Sequence, residues 1–315
     1  MFFVVGTGRC GTTSVARLLD QAPNCRCVHE WNPALIREGA EHLYGKLSEA
    51  KLSQMLRATR PETVDGKIFG ESNHQLGLFI PVLRKVFPDA RFVWVTRDGR
   101  DTVASMYARN WYAGNTFLLN ATAWERWRLR GDGVGAMSTW QWRTLFRFER
   151  CCWHWAYVNE LIASSLNAAD CPWIHIRLEE FSDKAEELFD FLELERPAKM
   201  ELPHSNKADG RAGYMPPNWQ QWRADQAAQF VHFCGASMDK WYPHWRTEVG
   251  ETWGAATDLA GAGLSLRRAA QVVASPYTGH IGPIDNLNDY VRQKGKDILP
   301  AGIQSQLRKV LPPRK

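Results

Sequence analysis

The sequence predicts an α/β fold, a parallel sheet flanked by helices. Three observations predict it: an apolar tetrad at the start of the chain runs into a glycine-rich turn, a second apolar strand near residue 90 runs into a helix, and helical apolar spacing separates successive strand candidates. The chain has 315 residues and 44% hydrophobic content, ample for one large domain or for a domain with an appendage.

Phe2-Phe3-Val4-Val5 is the first element. Consecutive apolar residues, two of them β-branched, read as a strand buried on both faces. Gly6-Thr7-Gly8-Arg9-Cys10-Gly11-Thr12-Thr13-Ser14 follows, and then Val15, Leu18 and Leu19 at helical spacing. The N–H groups that open such a helix have no intrahelical partner and sit at the positive end of its dipole, so strand, loop and helix make an anion cradle. The spacing Gly6-x4-Gly11 is that of a nucleotide phosphate loop, but Thr12 stands where the lysine should be. Arg9 is the cation inside the loop, and Thr12 and Thr13 add hydroxyls. Such a loop suits a single 5′-phosphate with one charged substituent better than a triphosphate. A plain strand-to-helix turn is the competing reading.

Cys25-Arg26-Cys27-Val28-His29 reads as the second strand, which puts Glu30 at its end. Helical spacing resumes over residues 47–58, and Gly66-Lys67-Ile68-Phe69-Gly70 leads to a polar stop, Glu71-Ser72-Asn73-His74. A helix is expected over 78–86, ending at Pro88. Ligands of open parallel sheets lie beyond the carboxyl ends of the strands, so Glu30, Glu71 and His74 become site candidates by position.

From Ala90 the chain reads Arg91-Phe92-Val93-Trp94-Val95-Thr96, an apolar strand, then Arg97-Asp98-Gly99-Arg100-Asp101, then helical spacing at Val103, Met106 and Tyr107. Asp98 or Asp101 can cap that helix. Asp101, Ser105 and Arg109 fall four residues apart and share one helix face. Arginine binds two phosphate oxygens with one planar fork. Arg97 at the strand end, with Ser105 and Arg109 on the helix, suits a second phosphate, apart from the one at the glycine loop.

These two motifs together resemble those of the PAPS-dependent sulfotransferases, PAPS being 3′-phosphoadenosine 5′-phosphosulfate. Gly6 to Thr13 resembles the family's 5′-phosphosulfate loop and Arg97-Asp98-Gly99-Arg100-Asp101-x3-Ser105 its 3′-phosphate motif. Trp173 to Phe181 is similar to a late strand with an acidic turn, and Asn206-Lys207, with the loop up to Trp219 and Trp222, to the segment that closes over the nucleotide. The resemblance spans about Phe2 to Trp245. It implies a P-loop NTPase-like sulfotransferase fold, with a domain over 1–246 and an appendage over 247–315. Arg9 replaces the lysine of the cytosolic small-molecule branch, which places the chain nearer the tyrosylprotein and bacterial branch. The implied cofactor contacts are Gly8, Arg9, Cys10, Gly11, Thr12, Thr13, Arg97, Ser105, Arg109 and Lys207.

Net charge is +5, too mild and dispersed to indicate nucleic acid. Seven cysteines form no paired motif and read as reduced thiols of a cytoplasmic protein. No apolar run is long enough to span a membrane. Between Asn110 and Tyr157, Trp111, Trp124, Trp127, Trp140, Trp142, Trp153 and Trp155 are interleaved with arginines. Core packing is one reading, and a flat aromatic platform for a carbohydrate or aromatic acceptor is the other. The segment from Gly250 on has no assigned fold, and the oligomeric state stays open.

The expected reaction is sulfuryl transfer from PAPS to a hydroxyl of a small-molecule, carbohydrate or natural-product acceptor, with adenosine 3′,5′-bisphosphate leaving in line. It needs positioning, charge stabilisation and a base. Arg9 is the electrostatic candidate, Glu30 the preferred base, His74 the second and Glu71 the third; no metal is expected. Two rivals are a P-loop kinase or nucleotide hydrolase, which should carry lysine at position 12, and a non-catalytic nucleotide-binding protein.

Overall fold

Alternation within β1, Phe2–Val5, sends Phe2 and Val4 to one face of a sheet and Phe3 and Val5 to the other, and all are buried. In this computed structural model, residues 1–113, 123–198, 218–249 and 253 are described. The other strands are β2 (Cys25–His29), β3 (Thr63–Val64), β4 (Lys67–Ser72), β5 (Arg91–Thr96) and β6 (Trp173–Arg177). The sheet runs β2-β4-β1-β5-β6 with all these pairs parallel, and β3 is an antiparallel addition to β4. β1 lies between β4 and β5, with Val4 opposite both Ser72 and Val93. The chain therefore changes sides of β1 between β4 and β5, which opens a crevice at the carboxyl end of β1.

Helices cover both faces. Phe2, Val4, Val93 and Val95 pack under α1 (Thr12–Leu19) and α9 (Phe181–Phe191). Phe3, Val5, Phe92 and Trp94 pack under α4 (Ile80–Val86), α5 (Gly99–Ala108), α8 (Arg147–Ala168) and α10 (Ala224–Trp241). Shorter helices fill the rim: α2 (Ile36–Leu43), α3 (Glu49–Thr59), α6 (Ala123–Arg126), α7 (Thr139–Thr144) and α11 (Trp245–Glu248). None of the helices among the described residues is long and apolar enough to cross a membrane.

The 22-residue α8 passes behind the crevice. Its His154 Nε2 lies 3.3 Å from the Thr7 carbonyl, and the indole Nε1–H of Trp155 donates to the Arg97 carbonyl at 3.2 Å.

Several expectations change. The strand after Gly66 does not stop before Glu71 but continues through Ser72, because the Glu71 carboxylate has a buried partner in Arg60. The helix expected over 78–86 is split. His74–Leu78 forms a 3₁₀ turn capped by Asn73, whose Oδ1 accepts the Gln75 N–H at 2.9 Å, and α4 starts only at Ile80. Trp111, Trp142, Trp153 and Trp155 are core residues, so the aromatic platform loses those members, whereas Trp140 is 57% exposed. The side chain of Trp124 is outside the described residues. α11 runs across position 246–247; its Glu248 pairs with Arg100, and Trp253 stacks on Trp222 at 5.8 Å. Residues 254–315 lie outside the described part.

Candidate functional site: two anion-binding loops and a carboxylate

The loop after β1 reverses direction through three left-handed residues, Gly8 (φ 76°), Arg9 (φ 61°) and Gly11 (φ 90°). Glycine is required at Gly11 twice over, since a Cβ there would also lie 2.5 Å from Leu178 Cδ1. At Gly8 a Cβ would approach the Trp111 ring to 3.0 Å. Gly11 caps α1 without any side-chain hydrogen bond, so no cap side chain blocks the positive end of that helix. Cys10 turns inward and is fully buried, and burial pushes its thiol pKa up. Only its backbone can meet a ligand.

The hydroxyls of Thr12 and Thr13 lie 3.4 and 3.1 Å from His29 Nε2. Ser72 Oγ donates to the Thr12 carbonyl at 2.9 Å, which fixes the first turn of α1 to the end of β4.

The second motif is joined directly to the first. Arg9 Nε donates to Ser105 Oγ at 3.0 Å across 96 positions of sequence. Ser105 is thus held by Arg9 and not by Arg97. Burial lowers the Arg9 pKa, and the charges of Arg109 and then Arg97 lower it further, so each of the two acts on Arg9 electrostatically. Arg97 has one weak carboxylate contact, Asp101 at 3.4 Å, with side chains 31% and 41% exposed. Arg109 is exposed at the end of α5. Asp98 caps α5 and grips the buried Arg100, so those two charges cancel each other. Lys207 lies outside the described residues.

Glu30 sits where β2 ends, in a left-handed conformation (φ 59°), its N–H donating to the Ser72 carbonyl at 3.0 Å. Its Oε1 lies 3.8 Å from His74 Nδ1 and 3.9 Å from His29 Nδ1. Burial raises the Glu30 pKa, and the Glu71 charge adds to it. His74 is driven down to about 3 by burial first and then by His154, Arg128 and other nearby cations, so at neutral pH its ring is uncharged. Glu30 and His74 are therefore neighbours in one site, not two separate ones. Glu71 is excluded as a base: its oxygens accept from Arg60 Nε at 3.0 Å, from Arg60 at 3.2 Å and from Asn73 Nδ2 at 3.1 Å, and it is fully buried.

Sequence reasoning missed two residues here. His29 could have been noticed, since it precedes Glu30 at a strand end. His154 carries no local signal, because only the packing of α8 brings it behind Thr7, where its Nδ1 lies 2.9 Å from the Tyr112 hydroxyl.

Among the described residues no group of three or more His, Cys, Asp or Glu side chains is placed to hold a metal. No curated protein matches the chain. Among solved structures it is similar to a sulfotransferase domain from the curacin biosynthetic pathway, at 12% identity over 66% of this chain and 78% of that one, with a TM-score of 0.40. It is also similar to a sulfotransferase from Mycobacterium avium (16% identity, 76% of each chain, TM-score 0.45) and to one from Alicyclobacillus acidocaldarius (15%, 73% and 94%, TM-score 0.40). The family model described as "Sulfotransferase family" matches residues 2–150. That stretch contains the glycine loop, Glu30, His74 and the Arg97–Ser105–Arg109 cluster, and over it the chain is similar to the sulfotransferase family.

Proposed function

We propose that the chain moves the sulfuryl group of 3′-phosphoadenosine 5′-phosphosulfate to a hydroxyl of a small-molecule, carbohydrate or natural-product acceptor. The observation that carries this reading is Arg9, bonded to Ser105 and under the charges of Arg109 and Arg97, beside a start of α1 that no cap side chain blocks. Two anion sites in one crevice suit a nucleotide with phosphate at both ends of its ribose, whereas a triphosphate calls for a lysine where Thr12 stands. The residues fit such a ligand. Gly8 and Gly11 leave no Cβ at the turn, and the N–H groups that open a helix are what a 5′-phosphate satisfies.

Bound there, the donor supplies a sulfuryl group whose leaving oxygen acquires negative charge. Arg9, half-buried and already desolvated, stabilises that charge. Arg97 and Ser105 hold the 3′-phosphate, Ser105 being preset by Arg9. Glu30 takes the proton of the attacking hydroxyl, its raised pKa making it a stronger base than an exposed carboxylate. His74, neutral, flanks Glu30 and restricts how its carboxylate can turn. A cytoplasmic setting, where thiols stay reduced, suits the seven unpaired cysteines.

The test has two parts. Adenosine 3′,5′-bisphosphate should bind about tenfold or more tighter than a nucleotide without the 3′-phosphate, and label should pass from sulfur-labelled PAPS to a member of an acceptor library. A preference for ATP with magnesium would replace this reading by a kinase or hydrolase, and tight binding without turnover on any acceptor by a non-catalytic nucleotide-binding protein.

A further inference from the structure

His29 touches both halves of the site. On one side its Nε2 meets the Thr13 hydroxyl at 3.1 Å and the Thr12 hydroxyl at 3.4 Å, on the first turn of the helix that cradles the 5′-phosphate. On the other, its Nδ1 lies 3.9 Å from Glu30 Oε1. We infer that His29 is a positioning residue that reports occupancy of the phosphate loop to Glu30, taking up a proton when an anion binds. The inference rests on the reading of Glu30 as the base and of the loop as the phosphate site.

The protons can be followed one by one. A neutral imidazole has one N–H; Nδ1 lies 3.9 Å from Glu30, ion-pair rather than hydrogen-bond distance, so with the loop empty the ring's hydrogen bonding is at Nε2, where the lone pair accepts the Thr13 O–H and the hydrogen sits on Nδ1. A phosphate or sulfate oxygen at the start of α1 competes for that O–H. Once Thr13 donates to the anion, its oxygen can only accept from His29, which requires a hydrogen on Nε2. The Glu30 carboxylate 3.9 Å from Nδ1 and the anion beyond Thr13 together favour a second hydrogen on the ring over a mere shift of the first. The product is the imidazolium, formed with one proton from solvent, and no other bond is made or broken. The imidazolium then faces the Glu30 carboxylate at ion-pair distance and keeps it ionised, ready for the acceptor's proton, in the liganded enzyme only.

The surroundings favour such a switch. Around His29 the charged and titratable groups are Glu30, His74 beyond it, and Arg17 of α1. Burial and Arg17 both hold the His29 pKa below its usual value, so the ring is neutral until an anion arrives. Around Glu30 the remaining charge is Glu71, which is paired with Arg60 and still raises the Glu30 pKa. His74, under the influence of His154, Arg128, His29 and Arg9, stays neutral and does not compete for the proton.

Calorimetric titration of adenosine 3′,5′-bisphosphate at neutral pH, in two buffers of different ionisation enthalpy, counts the protons. The wild type should take up about 0.5 to 1 proton per site. His29→Gln should still bind, a few-fold more weakly at neutral pH, and lose that uptake, and Thr13→Val should lose it as well. In turnover, His29→Gln should move the acid limb of the kcat profile up by about 1 pH unit or more, since Glu30 loses its cationic partner; a merely structural histidine would lower kcat without moving the limb. Nitrogen NMR of labelled wild type gives a reading that needs no variant: His29 should pass from the Nδ1–H form to the imidazolium. Unchanged uptake in His29→Gln, or a His29 signal that stays neutral in the complex, overturns the inference. If the bisphosphate does not bind at all, the donor reading fails, and the same proton count with inorganic phosphate then decides the role of His29 by itself.

Discussion

Replacing Arg97 with alanine separates the two anion sites, because its side chain and its backbone do different jobs. The Arg97 carbonyl is fixed by Trp155 Nε1 at 3.2 Å and by the Thr102 hydroxyl at 3.3 Å, so the strand end keeps its shape when the guanidinium is removed. What is lost is a charge-assisted bond to the 3′-phosphate, about 1.5–3 kcal/mol. Against this stands the contact that Arg97 gives up on binding, the pair with Asp101 at 3.4 Å, which is half-exposed and worth about 0.3–0.5 kcal/mol. The net cost is about 1–2.5 kcal/mol, or a roughly 5- to 70-fold weaker Kd for adenosine 3′,5′-bisphosphate. Adenosine 5′-phosphosulfate, which lacks the 3′-phosphate, should bind the variant and the wild type alike. Asp101→Asn removes the competitor and should tighten the bisphosphate about twofold. Calorimetry on both ligands is the assay. Equal weakening of both, or no weakening of the bisphosphate, refutes the assignment of Arg97 to the 3′ end.

Four further outcomes follow from the same structure. Glu30→Gln keeps size and reach but not basicity, so steady-state kinetics should show kcat lower by about 10²–10⁴ with bisphosphate affinity held; because burial raises the Glu30 pKa in the unliganded enzyme, the acid limb of kcat/KM for the donor should lie above the ordinary carboxylate range. Arg60→Met leaves Glu71 charged, buried and short of its partner, and urea unfolding should show a loss of about 3–5 kcal/mol, most of it recovered in Arg60→Met with Glu71→Leu. Gly11→Ala forces a side chain into φ 90° and against Leu178, which should cost about 1–2 kcal/mol in the same unfolding assay and weaken the bisphosphate as well. His74 and His154 are buried neutral with pKa values down to about 3, so the unfolded chain binds their protons first. Their contribution to stability is complete above the ordinary histidine pKa and is lost as pH falls from there toward 3, which a series of melts across that range will show.

β1 was legible because Phe2–Val5 is apolar on both faces, whereas Cys25–His29 and Trp173–Arg177 alternate apolar with polar residues and are legible from that alternation and from the turns around them. The two anion motifs were legible for a different reason: glycine, arginine and serine at fixed offsets are read from the chain without packing. The contents of the space between them were not. That Thr12 and Thr13 turn to His29, that Glu71 is spent on Arg60, and that Arg9 rather than Arg97 holds Ser105 all depend on which strand lies beside which. The tryptophans were ambiguous on composition, and α8 settles four of them by direction, its period placing Trp155 on the sheet side and letting Trp153 pack against Trp142 and Trp111 sit beside His154.

His154 and Trp155 are consecutive residues of α8, and each holds one of the two loops from behind, through the Thr7 carbonyl and the Arg97 carbonyl. The separation of the two anion sites is therefore gauged by a single rigid rod rather than by two independent hinges. A ligand with a longer or shorter span between its charges cannot be met by moving one loop, because the same rod holds the other. Engineering the site for a different nucleotide would thus begin with neither loop. Inserting one residue into α8 ahead of His154 turns the rod by about 100° and releases both loops together, whereas shortening Trp155 alone retunes one gap and leaves the other as the reference.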